Sequence, residues 1–152
     1  MATEPECPVD FISVNENKVR LTALHVFVLI IVYLIFRHWT IITLLVVDFF
    51  LRAFNFGRYS LLNKLSEIEV RLFNIKSKAI DQGPKRFAAK IGFIFCTAIL
   101  LSQLLDYTTV AIALATVILL FSFLESFVGF CAGCYVYTFY KKLLTKKTAI
   151  QH

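Results

Sequence analysis

Cys131 and Cys134 stand three residues apart where the apolar stretch Phe123–Lys142 gives way to lysines, with Gly129 and Gly133 around them. This is the spacing of a dithiol that closes to a disulfide and reopens. If the helix carrying them breaks at Gly129 and restarts at Cys131, the first sulfur meets the unpaired N–H groups of a new helix start. Those dipoles favour the thiolate, making Cys131 the attacking thiol and Cys134 the resolving one. If the helix runs on unbroken, the two sulfurs share nearly one face and can chelate a metal. Cys7, stiffened by Pro8, belongs to the same compartment. Together with His25, the three thiols Cys7, Cys131 and Cys134 would suit a soft ion, zinc or copper(I). A tetrahedral zinc site usually shows a second ligand pair, which weakens the metal reading. Small Gly and Cys residues also let helices approach closely, so a structural role stands as a third reading. No cofactor is otherwise evident. Cys96, within another apolar run, reads as a small packing residue.

The acids near these thiols are few. Glu125 precedes Cys131 in the same apolar run and has no partner within its own helix. His25, or a lysine of the cytosolic rim, is its candidate partner, and as a buried carboxyl it is a candidate proton acceptor. Asp48 and Arg52 are four apart with the acid first, so they pair on one helix face. We read them as a structural ion pair, since charges at membrane depth cost a few kcal/mol each and self-pairing needs no substrate.

The elements that must position these groups follow from composition. Of 152 residues, 59% are hydrophobic and 17% charged, and the mean hydropathy is +0.74. That is too much apolar surface for a small soluble core, so the bilayer is the expected solvent. The opening MATEPECPVD is acidic and lacks a basic n-region, so a cleavable signal peptide is not expected. Apolar runs cover Leu21–Phe36, Trp39–Phe54, Phe87–Leu105 and Tyr107–Val128, with tight turns at Arg37-His38 and Asp106. Between the second and third, Leu61, Leu65, Ile68, Leu72 and Ile75 recur at spacings of four and three, with Lys64, Glu67, Arg71 and Asn74 among them. That pattern is an amphipathic helix. It suits either the membrane surface or the cytosolic ends of a bundle.

The expected fold is an all-α integral membrane protein: four transmembrane helices in two hairpins, with a cytoplasmic amphipathic helix between them. Its parts are an N-terminal segment (1–18), a first hairpin (19–54), a basic loop (55–86), a second hairpin (87–130) and a basic C-terminal segment with the Cys-x-x-Cys pair (131–152). Lysines and arginines number 2 in residues 1–20, 9 in 52–90 and 4 after Cys134, leaving only Arg37 of the 16 on the other side. The positive-inside rule then puts both termini in the cytoplasm. The polar groups His25, Asp48, Arg52 and Glu125 gather in the cytoplasmic third, and only Gln103 lies toward the outer face. That distribution disfavours a polar pore and favours a site open to the cytoplasm, where a reducing milieu disfavours structural disulfides.

Four blocks carry a resemblance. They are Cys7-Pro-Val with Asn15-x-Asn-x-Val-Arg20; Asp48-Phe-Phe-Leu-Arg52 with Arg58-Tyr-Ser-Leu61; Gly83-Pro-Lys-Arg-Phe-Ala-Ala-Lys90; and Leu124-Glu-Ser-Phe-Val-Gly-Phe-Cys-Ala-Gly-Cys-Tyr135. Together they resemble the bacterial membrane family catalogued as domain of unknown function 4395, from Cys7 to about Tyr140. Leu61 departs from it, standing where a proline is expected after Ser60. The resemblance implies a bacterial inner-membrane protein whose relatives occur near thioredoxin-like and sulfurtransferase proteins. It places Cys7, Cys131, Cys134, Glu125, Asp48, Arg52, Lys85 and Arg86 among the residues of interest.

The functional expectation is a thiol-based redox or sulfur-handling protein, with Cys131, Cys134, Cys7 and Glu125 as its reactive groups. The alternatives are a non-enzymatic binder or transporter of a soft metal or persulfide, and a scaffold whose basic loop recruits a partner or anionic lipid. The sequence holds no phosphate-binding glycine loop and no His-Glu-x-x-His motif, and the net charge of +6 is explained by orientation rather than by nucleic acid. A bundle of short, phenylalanine-rich helices also suits a homo-oligomer.

Overall fold

The computed structural model describes residues 13–76, 79–81, 83–128, 135 and 139–146. Cys7, Gly129, Cys131 and Cys134 lie outside the described residues. The chain is helical, with β1 (Ser13–Asn15), α1 (Glu16–Phe36), α2 (Trp39–Ala53), α3 (Leu61–Leu72), β2 (Ala79–Asp81), α4 (Gly83–Leu104) and α5 (Thr108–Phe123), the last running into a π-turn at Leu124–Val128. Residues 139–146 are also helical.

Each helix begins and ends for a local reason. The Asn15 side chain accepts from the Asn17 N–H at 3.1 Å, and Glu16 sits at the positive end of α1. Both features favour a helix start. Ser60 starts α3 in the same way, its Oγ accepting from the Asn63 N–H at 3.2 Å. Left-handed residues follow four helices: Arg37 after α1, Asn55 after α2, Asn74 after α3 and Asp106 after α4. Asn and Asp tolerate that conformation better than other side chains; Arg37 adopts it without that advantage.

Three helical stretches are long and apolar enough to cross a membrane: Glu16–Phe36, Lys85–Leu104 and Thr108–Val128. The 15 residues of α2 fall short of that length. All-α holds with one addition: β1 and β2 form a small antiparallel ribbon, Val14 opposite Ile80, which ties the N-terminal stretch to the approach of α4. α2 packs on α4, α4 on α5, α5 on α1 and α1 on α2, so the four helices close a ring. Val26, Ile30, Ile42, Leu45, Cys96, Ile99 and Ala115 fill its centre. Gly92 of α4 lies under the Phe49 ring of α2, where an added Cβ would stand 2.5 Å from a ring carbon.

Contacts sort the two ends of the ring. At one end the turns after α1 and α4 are joined, Gln103 Nε2 donating to the Arg37 carbonyl at 2.8 Å. At the other meet the start of α1, the end of α2, the start of α4 and the π-turn. α3 lies outside the ring against α1. The sequence periodicity puts Leu61, Leu65, Ile68 and Leu72 on one face, and the structure leaves that face exposed. Leu62 and Ser66 are the buried side chains of α3.

Candidate functional site

The residues that could do chemistry among those described gather at the end where the π-turn lies. A π-turn packs one extra residue into a helical turn and is frequent at functional sites. Three contacts hold this one. Arg20 of α1 donates from Nε to the Ser126 carbonyl at 3.1 Å and from Nη2 to the Phe127 carbonyl at 3.0 Å. Lys85, in the first turn of α4, donates from Nζ to Glu125 Oε1 at 3.0 Å. Phe27 packs against Phe123 and Phe127, with ring centroids 5.8 and 6.3 Å away.

Beside the turn is a cavity of about 40 Å³ lined by Arg52, Lys85, Ser122 and Glu125 on its polar side and by Phe49 and small alanines on the other. It has room for a water molecule or two. Glu125 thus takes a rim lysine as its partner, while His25 points elsewhere. His25 Nδ1 lies 2.7 Å from the Leu21 carbonyl, which can only accept, so Nδ1 carries a proton. Its Nε2 faces Glu69 Oε1 of α3 at 3.2 Å. That contact is a hydrogen bond only with one further proton, on the imidazole or on the carboxyl. A metal at His25 would have to take Nε2 from Glu69.

Asp48 is 3% exposed. Its Oδ1 accepts from the Ser60 hydroxyl at 2.5 Å and from the Leu62 N–H at 3.3 Å, so it caps the start of α3 from another helix. Arg52 Nη1 stands 3.9 Å from Asp48 Oδ2, beyond hydrogen-bonding reach, so the attraction between them is Coulombic. The Arg52 guanidinium also lies over the Phe49 ring, 5.4 Å from its centre. Cys96 is fully buried in the ring. Outside the cavity, Glu67 of α3 takes Lys18 at 3.0 Å and Arg71 at 2.9 Å. The hydrogen bond and charge of Lys18 hold its carboxyl below the usual range, with Arg71 adding to the effect.

A family model described as Domain of unknown function (DUF4395) matches residues 14–142. The chain belongs to this family. No curated protein and no solved structure matches. The four blocks on which the resemblance was drawn, scattered along the chain, supply this one end of the ring: Arg20 from the first, Asp48, Arg52 and Ser60 from the second, Lys85 from the third and Glu125 from the fourth. Lys85 and Arg20 carry no chemistry in a reading by spacing alone. The resemblance did place Lys85 among the residues of interest, and Arg20, in the first of its blocks, could have been singled out by the same mark. Nothing in the sequence marked Phe27 or Glu69.

Proposed function

We propose that this protein is a multi-pass bacterial inner-membrane protein that runs thiol chemistry at the cytoplasmic face through Cys131 and Cys134. The observation that carries this is the braced turn before them. Three family blocks fasten Leu124–Val128 or line the cavity beside it, and the Cys131-Ala-Gly-Cys134 pair begins three residues after Val128. A turn held in place restricts the region that the residues just after it can occupy, which a reactive dithiol needs.

In the reaction so proposed, the Cys131 thiolate attacks one sulfur of a partner disulfide and expels the other as a thiolate. The Cys134 thiolate then attacks the Cys131 sulfur, releasing the partner as a dithiol and leaving the Cys131–Cys134 disulfide. Two electrons pass to the partner, and a cytosolic thioredoxin-like dithiol returns them. Glu125 is the nearby carboxylate that takes a thiol proton, and Cys7 is an exchange partner at the same face.

The same proposal has four crossings and cytoplasmic termini. At 15 residues α2 is about 22 Å long, some 8 Å less than a hydrocarbon core. It counts as a crossing because it runs from the Arg37–Gln103 junction at one end of the ring to the Asp48–Ser60 junction near the other. Asymmetry of lysine and arginine then sets its direction.

The test is thiol trapping in intact cells: acid quench, a mass-shifting maleimide, and an oxidant pulse followed by recovery. A Cys131–Cys134 disulfide that forms and returns to dithiol is expected, with Cys131→Ser and Cys134→Ser each abolishing it. A pair that never oxidises, in protein that carries zinc or copper(I) after anaerobic purification, overturns the redox reading in favour of metal handling.

A further inference from the structure

We infer that α3 lies sideways within the cytoplasmic leaflet, its Leu61–Leu65–Ile68–Leu72 stripe packed on phospholipid acyl chains. This rests on the four-span reading and not on the thiol chemistry.

Depth is fixed twice. On α1, the Thr22 hydroxyl donates to Ser66 Oγ at 2.9 Å. Thr22 is six residues, or about 9 Å, in from the start of α1 at Glu16. On α2, Asp48 caps the first turn of α3 through Leu62. Asp48 is five residues, or about 8 Å, in from the end of α2 at Ala53. Two independent helices therefore place α3 at one level, inside their ends rather than beyond them. An interfacial helix is buried by about 5–10 Å at the boundary of headgroup and acyl chain.

The faces of α3 fall in the order that position demands. Leu61, Leu65, Ile68 and Leu72 form one face, with exposures of 62, 42, 54 and 75%. About a quarter-turn round, Leu62 and Ser66 meet the protein. Further round lie Asn63, Glu67 and Arg71, which line a polar cleft with Lys18 and Arg58. The three faces are thus membrane, ring and cytosol. Lys64 stands at the border of the stripe, where a lysine lays its stem along apolar surface and lifts its ammonium to the phosphates.

Lipid is the occupant because the stripe continues a lipid-facing surface. An apolar groove of about 400 Å³ runs along α2 past Leu44, Val47 and Leu51 to Tyr59 and Leu61, the first residue of the stripe. It also supplies what α2 lacks. The roughly 8 Å by which α2 is short is the depth at which α3 presents its leucines.

The experiment uses the full chain with Trp39→Phe, which removes the single tryptophan, and one new tryptophan at Leu65, Ile68 or Arg71. Each variant is reconstituted in phosphatidylcholine and phosphatidylglycerol vesicles whose acyl chains carry bromine near the headgroup end or near the methyl end. Leu65→Trp and Ile68→Trp should emit to the blue, with roughly twofold quenching by the shallow bromine, less by the deep one, and protection from iodide. Arg71→Trp should be quenched by iodide instead. Iodide quenching at Leu65→Trp and Ile68→Trp without bromine quenching overturns the proposal, since the stripe would then face water. Protection from both quenchers, with a cross-linked dimer, also overturns it, since a second copy would then cover the stripe. Separately, Arg37→Cys in a chain with its four cysteines replaced should label only from the outer side. Failure of that labelling alone would fault the four-span reading and leave the surroundings of α3 still measured.

Discussion

The ammonium of Lys85 lies 3.0 Å from the carboxylate of Glu125, 40 residues away along the chain. Both side chains are about four-fifths shielded, at 17 and 22% exposure. The lysine comes from the first turn of α4 and the acid from the π-turn that follows α5, so one contact pins that turn to the start of the neighbouring helix. The positive end of α4 adds to the attraction for the acid.

Lys85→Met leaves Glu125 without this partner at a site about four-fifths shielded from water. The expected loss is about 2 kcal/mol, between the values for exposed and fully buried pairs. The exchange Lys85→Glu with Glu125→Lys should recover about half of that. Reversible unfolding in mixed micelles measures both, and a Lys85→Met variant as stable as the parent would deny the pair a role in bracing the turn.

Asp48 predicts a graded series. Asp48→Asn keeps an oxygen for Ser60 and Leu62, whereas Asp48→Ala removes the cap and leaves buried donors open, at about 1–3 kcal/mol. Limited proteolysis in the 54–60 connection should accelerate in the order Ala, then Asn, then parent. Equal rates for Ala and parent would mean that α3 is held without Asp48.

Gly92→Ala introduces a Cβ against the Phe49 ring, and overpacking of this kind costs about 1–3 kcal/mol. The second-site change Phe49→Leu should relieve it. The double variant should therefore melt above Gly92→Ala alone, which a thermal scan in detergent detects.

Glu67 gives a pH dependence of known sign. Its carboxyl is held below the ordinary value of 4.5, first by the Lys18 hydrogen bond and then by the Lys18 charge. A lowered folded-state pKa contributes stability above the unfolded value, and that contribution is lost as pH falls from near 4.5 through the folded value. At 43% side-chain exposure the effect is small and screened by salt. Lys18→Met should flatten the acid limb of α3 protection, followed by amide exchange between about pH 5.5 and pH 3.5, about a unit either side of the ordinary value.

The long helices were legible because an apolar run of sufficient length has few other fates. Leu21–Phe36 gained only one further turn or so, back to Glu16, through the Asn15 cap. The periodicity of Leu61, Leu65, Ile68 and Leu72 likewise revealed α3. A period reports which side chains share a face and not what that face meets. Here the protein side of α3 is made by Ser66 and Leu62, a small and partly polar contact that no hydrophobic pattern announces. For Glu125 the kind of partner, a rim lysine, was legible but not which lysine, and the partner of His25 was illegible, for a related reason. Lys85 and Glu69 are each some 40 residues distant, and a carboxylate advertises no preference among cations. The β1–β2 ribbon is three residues a side, too short to show alternation.

The cap that Asp48 places on α3 also bears on how the chain is made. On the four-span proposal the acid would enter the bilayer with α2, while its donors at Ser60 and Leu62 follow 12 and 14 residues behind. At about 5–20 residues per second, the ribosome supplies them on the order of a second later. Through that interval Arg52, four residues on, is the nearest counter-charge in the chain, so on that proposal a pairing too long for a hydrogen bond in the finished protein would escort the acid during insertion. An Arg52→Leu chain would then fail at biogenesis, in the yield of membrane-inserted protein, before it failed in stability.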